Sequence, residues 1–197
     1  MGRSLGAGGC ALVIGDSLIQ PGVFAGYRII ATGPLRAEFE LTYRPVKYGE
    51  VNIVQTMHIA LDAGTNLNRI AVLFQTDGSP APLPFAAGIV KRKGVVLHAD
   101  TAHCAASLWG MTTENPEQGF LGTGIVMEKG AFSSIRETPV HLLVAGSASA
   151  GQPVTYYAGA GWTRSGDFAS DEDWLRYVKQ FALKLRSRLA ITLSALK

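Results

Sequence analysis

The feature of the sequence that most constrains the fold is a series of short segments with strand-like alternation, each ended by a turn sequence. In residues 35–43 apolar side chains occupy every second position, and charged or polar side chains occupy the positions between them. A period of two is typical of a β-strand with one buried face. Further strands, rich in β-branched, aromatic or alternating residues, are predicted at 27–31, 52–61, 68–74, 85–91, 94–98, 105–109, 119–127, 140–146 and 154–159.

The connections between the first of these segments are short and have turn compositions. Gly, Pro, Asn and Asp are concentrated at residues 32–34, 45–49 and 62–66. Short connections join antiparallel neighbours, because a parallel pair needs a long crossover. The 197 residues, of which only 17% are charged, are an ordinary length for one apolar β domain. We therefore predict an antiparallel β-sandwich over residues 1–168.

The pattern changes at the C-terminal end of the chain. Ser170 precedes three acidic residues, which is typical of the start of a helix, and Trp174, Val178 and Phe181 then recur at helical spacing. Residues 169–197 are therefore predicted to contain an α-helix that packs on the same domain. The basic residues near the far end of this helix are expected to complement its dipole.

Composition excludes several classes of function. A net charge of +3 is mild, and a nucleic-acid partner would normally require a clustered basic face. No apolar run reaches the roughly 18 residues that span a bilayer, so no membrane partner is predicted. Cys10 and Cys104 lack the spacing of a thiolate metal site. The composition and charge are compatible with an anionic small ligand or a glycan as partner. They are also compatible with a homo-oligomer.

Residues 155–168 bring aromatic rings, glycines and one cation together. Tyr157 and Trp162 offer flat apolar faces with a polar edge, as sugar rings require, and Arg164 is able to fork two hydrogen bonds to a carboxylate. The same composition also fits the end of a strand followed by a glycine-rich turn. A binding surface and a structural role are both open for this segment.

Four segments, residues 2–9, 33–43, 61–68 and 156–168, together resemble the bacterial domain of unknown function 4861. The resemblance covers most of the chain up to about Lys179 and matches the later part of a longer family member. Members look like secreted or periplasmic β-sandwich proteins encoded beside enzymes that degrade pectin and other acidic glycans. The resemblance therefore implies a carbohydrate-active role and a periplasmic or secreted parent protein, but it transfers no catalytic residue.

The first functional hypothesis is a β-sandwich of the galactose-mutarotase-like type, whole or in part, that acts as a glycoside hydrolase or polysaccharide lyase on an acidic or complex plant glycan. Imidazole is the natural base near neutral pH, Arg suits a uronate carboxylate, and Trp stacks on sugar rings. The alternative is a non-catalytic carbohydrate-binding module with no positioned acid and base. The candidates are His58, His141 and Tyr156 for catalysis, and Arg92, Trp109, Tyr157, Trp162 and Arg164 for substrate binding.

His98 and His103 flank Asp100 within six residues, which suggests either a metal site or an acid/base pair. A divalent metal ion bound by the two histidines would need a third ligand, for which His58 or His141 are candidates. No cofactor is firmly predicted, although a divalent metal is possible. Hydrolysis would need two carboxylates, and the candidate pairs are Glu114 with Glu117 and Glu38 with Glu40.

Overall fold

The computed structural model describes residues 4–78 and 82–187 of the chain. Most of these residues lie in β-strands, and an α-helix, α1 (Asp171–Arg186), follows the last strand. The strands are β1 (Ala7–Ile14), β2 (Ser17–Ile19), β3 (Gly26–Thr32), β4 (Arg36–Thr42), β5 (Val46–Tyr48), β6 (Val51–Asp62), β7 (Leu67–Thr76), β8 (Leu83–Val90), β9 (Val96–Asp100), β10 (Ala105–Met111), β11 (Phe120–Met127), β12 (Phe132–Glu137), β13 (His141–Ala148) and β14 (Val154–Trp162).

The strands form two antiparallel sheets. The small sheet has the order β12-β13-β8-β1-β2, and the large sheet has the order β3-β4-β6-β7-β14-β11-β10-β9, with β5 paired to β6. The predicted all-β sandwich with a C-terminal helix is confirmed, while its assignment to the galactose-mutarotase-like type stays a prediction. Residues 188–197 of the predicted C-terminal segment lie outside the described residues. No helix in the described part is long and apolar enough to cross a membrane.

Four strands lie where the sequence analysis predicted none. They are β1, β2, β5 and β12. β1 is paired on both edges and is mostly buried, so its small and apolar residues form a run without the alternation of a half-buried strand. β5 lies inside the predicted turn at residues 45–49 and pairs with β6. A strand of three residues is too short to show a period.

The inner faces of the two sheets enclose the main hydrophobic core, which includes Leu12, Phe74, Phe85, Ile125 and Met127. Helix α1 packs on the other, outer face of the large sheet. A second buried cluster joins the helix to this face through Trp174, Val178 and Tyr157. The predicted capping role of Ser170 is confirmed, because its side chain accepts a hydrogen bond from the Asp173 N–H.

Three glycines allow the fully buried Trp174 to lie against the large sheet. Gly122 and Gly161 are paired residues on β11 and β14, and Gly124 lies two residues further along β11. A Cβ atom added at Gly122 would be 2.5 Å from Trp174 Cγ. Trp174 Nε1 also donates a hydrogen bond to Thr123 O at 3.3 Å. The absence of a side chain at these three glycines therefore lets the helix approach the sheet closely.

We expect the substitution Gly122→Ala to lower the free energy of unfolding by about 1–3 kcal/mol, because the added methyl group overpacks a filled interface. Gly130→Ala is the matched control, since a Cβ at Gly130 meets no atom within 4 Å. Urea denaturation of both variants measures the effect. Equal stabilities for the two variants would show that the packing of Trp174 does not require a glycine at position 122.

Candidate functional site

The candidate catalytic histidines His58 and His141 lie in different sheets. His58 is on β6 of the large sheet, and its Nε2 is 2.7 Å from Glu38 Oε1 on the neighbouring strand β4. His141 begins β13 of the small sheet and is 4% exposed. Its Nε2 accepts a hydrogen bond from the Leu5 N–H at 3.0 Å. The structure therefore does not bring these two imidazoles into one site.

The surroundings of His141 favour its neutral form. Burial lowers its pKa from the ordinary value of 6.5, and protonation of Nε2 would remove the acceptor that the Leu5 N–H uses. The folded protein consequently binds this proton less tightly than the unfolded chain does. The stabilisation is fully present above about pH 6.5 and is lost as the pH falls towards the lowered pKa of the folded state.

We expect the free energy of unfolding to fall as the pH drops below about 6.5, in part because of His141. The variant His141→Gln lacks this titration and should show a shallower fall over the same range. Urea denaturation at each pH measures both slopes, and contributions from the other histidines cancel in the comparison. Parallel slopes would show that His141 does not contribute to the pH dependence.

Three predicted aromatic residues have packing roles. Tyr156 is fully buried, its hydroxyl donates a hydrogen bond to Gly8 O at 2.7 Å, and burial raises its pKa well above the ordinary value. Tyr157 lies beneath helix α1, with its ring edge-on to Phe181 at a centroid distance of 5.1 Å. Trp109 is 6% exposed and packs in the same cluster as Tyr157.

The remaining predicted binding residues lie just after β8 and at the end of β14. Arg92 follows β8, and its Nη1 donates a hydrogen bond to Thr112 O at 2.9 Å. Trp162 ends β14 with 37% of its surface exposed, and its Nε1 donates to Gln118 O at 2.8 Å. The Arg164 guanidinium carbon lies 5.5 Å from the centroid of the Trp162 ring. Trp162 and Arg164 are thus a predicted pair that the structure does bring together.

His98 and His103 each pair with a different carboxylate. His98 Nε2 lies 2.7 Å from Asp171 Oδ2, at the start of helix α1. His103 Nδ1 lies 2.7 Å from Asp100 Oδ2. Within residues 4–78 and 82–187, no group of three His, Cys, Asp or Glu side chains is arranged to hold a metal ion. The sequence analysis offered a metal site or an acid/base pair for this segment. The geometry favours an acid/base pair, formed by His103 and Asp100.

The backbone after β9 presents His103 to its carboxylate partner. Residues 101–103 form a single 3-10 turn that Asp100 caps, because Asp100 Oδ1 accepts the His103 N–H at 3.0 Å. Cys104 then adopts a left-handed conformation with φ of 54°, which returns the chain into β10. A carboxylate at Nδ1 requires a proton on that nitrogen, so Nε2 of the neutral ring carries the free lone pair. This is the geometry of an oriented general base.

His103 lines a cavity of about 500 Å³ beside the C-terminal end of helix α1. We call it the His103 cavity. Its wall combines a base, two cations, one carboxylate and apolar surface, provided by His103, Lys129, Arg186, Glu128, Met127 and Leu185. Arg186 Nη2 donates to the Ala102 O and lies 3.5 Å from Cys104 Sγ, which fixes the guanidinium next to the histidine turn. The cavity is therefore suited to a ligand that carries an acidic group.

Only some residues of this site leave a signal in the sequence. The spacing of Asp100 and His103 is a local signal, from which the sequence predicts either a metal site or an acid/base pair. Lys129 had no local signal, because it follows β11 in an ordinary turn composition. Arg186 was interpreted as a charge that complements the helix dipole. Lys129 comes near the histidine through the pairing of β11 with β10, and Arg186 does so because the helix end packs against the turn after β9.

Comparison with known proteins places the chain in a family. It is 28% identical over 210 residues to "Uncharacterized protein P7" of Formosa agariphila, an alignment that covers 98% of this chain and 48% of that protein. The chain thus spans about half the length of the curated relative that it matches. The model of the domain of unknown function DUF4861 matches residues 1–191, which extends the predicted resemblance past Lys179. Because the match covers nearly the whole sequence, the chain belongs to the DUF4861 family.

Proposed function

We propose that this protein acts as a polysaccharide lyase. In this proposal the His103 cavity binds a uronate unit of an acidic glycan, and the glycan is cleaved there by β-elimination. The observation that carries this proposal is that His103, whose Nδ1 is held by Asp100, lines a cavity that Lys129 and Arg186 also line. Elimination next to a carboxylate needs a base and a positive environment for the charge that develops. The cavity offers both.

Recognition of the substrate would begin with its carboxylate. Lys129 and Arg186 each contribute a positive charge. Nη2 of Arg186 contacts Ala102 O and Cys104 Sγ, so the other Arg186 nitrogens are the ones left to donate to the carboxylate. Besides these two cations, the described lining includes one carboxylate, that of Glu128. The excess positive charge favours an acidic sugar unit over a neutral one, and it stabilises the extra negative charge that the carboxylate gains when the neighbouring carbon loses its proton.

Proton transfer would then use the free nitrogen of His103. Nε2 takes the proton from C5 of the uronate, the C5–H electron pair forms the C4–C5 double bond, and the bond between C4 and its glycosidic oxygen breaks. The imidazolium returns the proton to the departing oxygen, so atoms and charges balance. Asp100 holds the ring in place and stabilises its cationic form through the hydrogen bond at Nδ1.

Hydrolysis is less well supported by this cavity. Glycoside hydrolases use two carboxylates separated by about 5–9.5 Å, one of them free to act as an acid. Glu128 is the carboxylate among the described lining residues, whereas Asp100 is committed to two hydrogen bonds with His103. The predicted pair Glu38 and Glu40 lies on β4, where Glu38 contacts His58 and Glu40 contacts Arg28.

A non-catalytic carbohydrate-binding module remains the second candidate, and one observation favours it. Trp162 is partly exposed and lies beside Arg164, so a sugar ring with a carboxylate is able to stack and form an ion pair on this surface. Binding there requires no base. The two candidates differ in whether products form at all.

Incubation with pectic, alginate and neutral glycans tests the proposal, with new reducing ends and the ultraviolet absorbance of unsaturated uronides followed together. The lyase proposal expects both signals to rise in parallel on an acidic glycan. Reducing ends without the absorbance would establish hydrolysis instead. Measurable binding without any product on the whole panel would contradict the enzyme proposal and support the binding module.

A polymeric glycan is encountered outside the cytoplasm, so we propose that the protein to which this chain belongs is periplasmic or secreted. Fractionation of the source bacterium, with an antibody against this chain, checks the location. Recovery in the cytoplasmic fraction alone would contradict it.

A further inference from the structure

Gln55 is a polar residue in the core-facing row of β6. Its neighbours in that row, Ile53, Met57 and Ile59, belong to the apolar core between the sheets. Gln55 is 2% exposed, and its Nε2 has no hydrogen-bond partner. A buried amide donor without an acceptor costs free energy, because it has lost its hydrogen bonds to water. The unpartnered donor points to an acceptor on a bound molecule.

Gln55 lines a cavity of about 180 Å³ at the open edge of the sandwich, next to the segment that follows β2. Its floor includes Cys10, Gln55 and Met57, which are buried. Ser4 and Gly22 also line it and are exposed. The cavity therefore connects the buried amide to solvent and gives a small molecule a path to it. We call it the Gln55 cavity.

The lining of the Gln55 cavity is polar but uncharged. No Asp, Glu, Lys, Arg or His is among the described residues that line it. Tyr43 and Ser4 supply hydroxyl groups, and Gln20 supplies a second amide near the rim. Burial raises the pKa of Tyr43, which keeps its hydroxyl protonated and able to donate. A charged ligand would find no counter-ion here, whereas a neutral one with several oxygens would find several partners.

We propose that the Gln55 cavity binds a small neutral hydroxylated molecule, a single sugar unit or a polyol of similar bulk, with one of its oxygens accepting a hydrogen bond from Gln55 Nε2. The volume of about 180 Å³ equals the bulk of about six water molecules at about 30 Å³ each. It is below the range of about 300–1,000 Å³ that drug-sized ligands occupy. Met57 and Leu5 are placed to contact the C–H face of the ligand.

This site is separate from the His103 cavity. The two cavities share no described lining residue, and they lie on opposite faces of the large sheet, one in the space between the sheets and the other beside helix α1. Their chemistry also differs, because one is uncharged and the other has excess positive charge. A neutral ligand and an acidic ligand should therefore bind independently.

Methionine methyl NMR reports on both cavities at once. Met57 lines the Gln55 cavity, Met127 lines the His103 cavity, and Met111 lines neither. Protein labelled at the methionine methyl carbons is titrated separately with D-galactose, D-xylose, glycerol and D-galacturonate, and Met57→Leu assigns the key signal. We expect at least one neutral probe to shift the Met57 signal in a saturable way, with Met111 and Met127 unchanged. D-galacturonate should leave the Met57 signal in place.

The variant Gln55→Met removes the amide while keeping the volume of the side chain. It should abolish the saturable shift of the Met57 signal, and it should raise Tm by a few degrees, because an unpartnered buried donor is lost. Gln75→Met makes the same chemical change at an exposed position on β7 and should leave binding intact. Undiminished binding by Gln55→Met would overturn the proposal. So would the failure of every neutral probe to shift the Met57 methyl signal of the unsubstituted protein.

The two proposals fail in different ways. Loss of the Met57 response with a retained Met127 response to D-galacturonate would overturn the Gln55 site alone. The opposite result would leave the neutral site standing and count against the His103 cavity. A crystal structure that shows ordered water only in the Gln55 cavity, at probe concentrations that saturate the NMR signal, would also contradict a bound sugar or polyol.

Discussion

Replacement of His103 by glutamine is expected to lower kcat for glycan elimination by about 100-fold to 10,000-fold, which is the usual contribution of a general acid or base. Glutamine retains a polar group next to Asp100 but cannot accept and release the C5 proton. Substrate binding should change much less, since Lys129 and Arg186 stay in place. Initial rates of unsaturated product formation measure kcat and KM for the parent protein and the variant.

His58→Gln is the matched comparison, because His58 also has a carboxylate oxygen at 2.7 Å. It is placed on β6, beside Glu38 on β4, and it is not among the described residues that line the His103 cavity. We expect this variant to keep the parent rate within about twofold, as substitutions away from the reacting groups do. A large loss in His58→Gln with little loss in His103→Gln would move the catalytic site to the face that carries β4 and β6.

Replacement of Trp174 by alanine is expected to lower the free energy of unfolding by about 3–5 kcal/mol, the usual cost of removing a fully buried Trp or Phe from a core. Trp174 is 0% exposed and packs against Phe168 at a centroid distance of 5.0 Å. Its loss leaves a cavity above three glycines, which cannot fill it. Urea denaturation, followed by circular dichroism, measures the change.

Trp162→Ala is the control for this stability prediction. Trp162 is the same residue type but is 37% exposed, and its truncation should cost clearly less than that of Trp174, because it leaves no enclosed cavity. Because Arg186 belongs to the same helix as Trp174, the variant Trp174→Ala should also weaken binding of acidic ligands. Full stability of Trp174→Ala would show that the helix is not anchored through this side chain.

The architecture could be predicted from the sequence because the patterns that indicate it are local. Alternation in residues 35–43, turn compositions and a capped amphipathic helix each depend on a few neighbouring residues, and these led to the sandwich and to α1. β1 escaped detection because a strand buried on both faces has no alternation. The pairing of β1 with β8 and β2 depends on contacts between distant segments, which composition does not report.

The candidate site was harder to predict from the sequence, because most of its residues meet through contacts between distant segments. Asp100 and His103 are neighbours in the chain, so their pairing leaves a local pattern. Lys129 joins them only through the pairing of β11 with β10, and Arg186 only through the packing of α1 on these strands. The aromatic segment 155–168 had a strong local signal, yet alternation divides it, with Tyr156 in the core and Tyr157 beneath the helix. Gln55 had a signal of another kind, a polar residue in an apolar row.

The most direct test of the central claim is a crystal structure of the His103→Gln variant with an acidic oligosaccharide that the parent protein cleaves. The variant is expected to turn over about 100-fold to 10,000-fold more slowly, so a brief soak captures the substrate before it is cleaved. The account predicts a uronate in the His103 cavity, with its carboxylate on Arg186 and Lys129 and its C5 facing the side chain at position 103. An oligosaccharide bound only at Trp162 and Arg164, or on the face that carries His58, would contradict it.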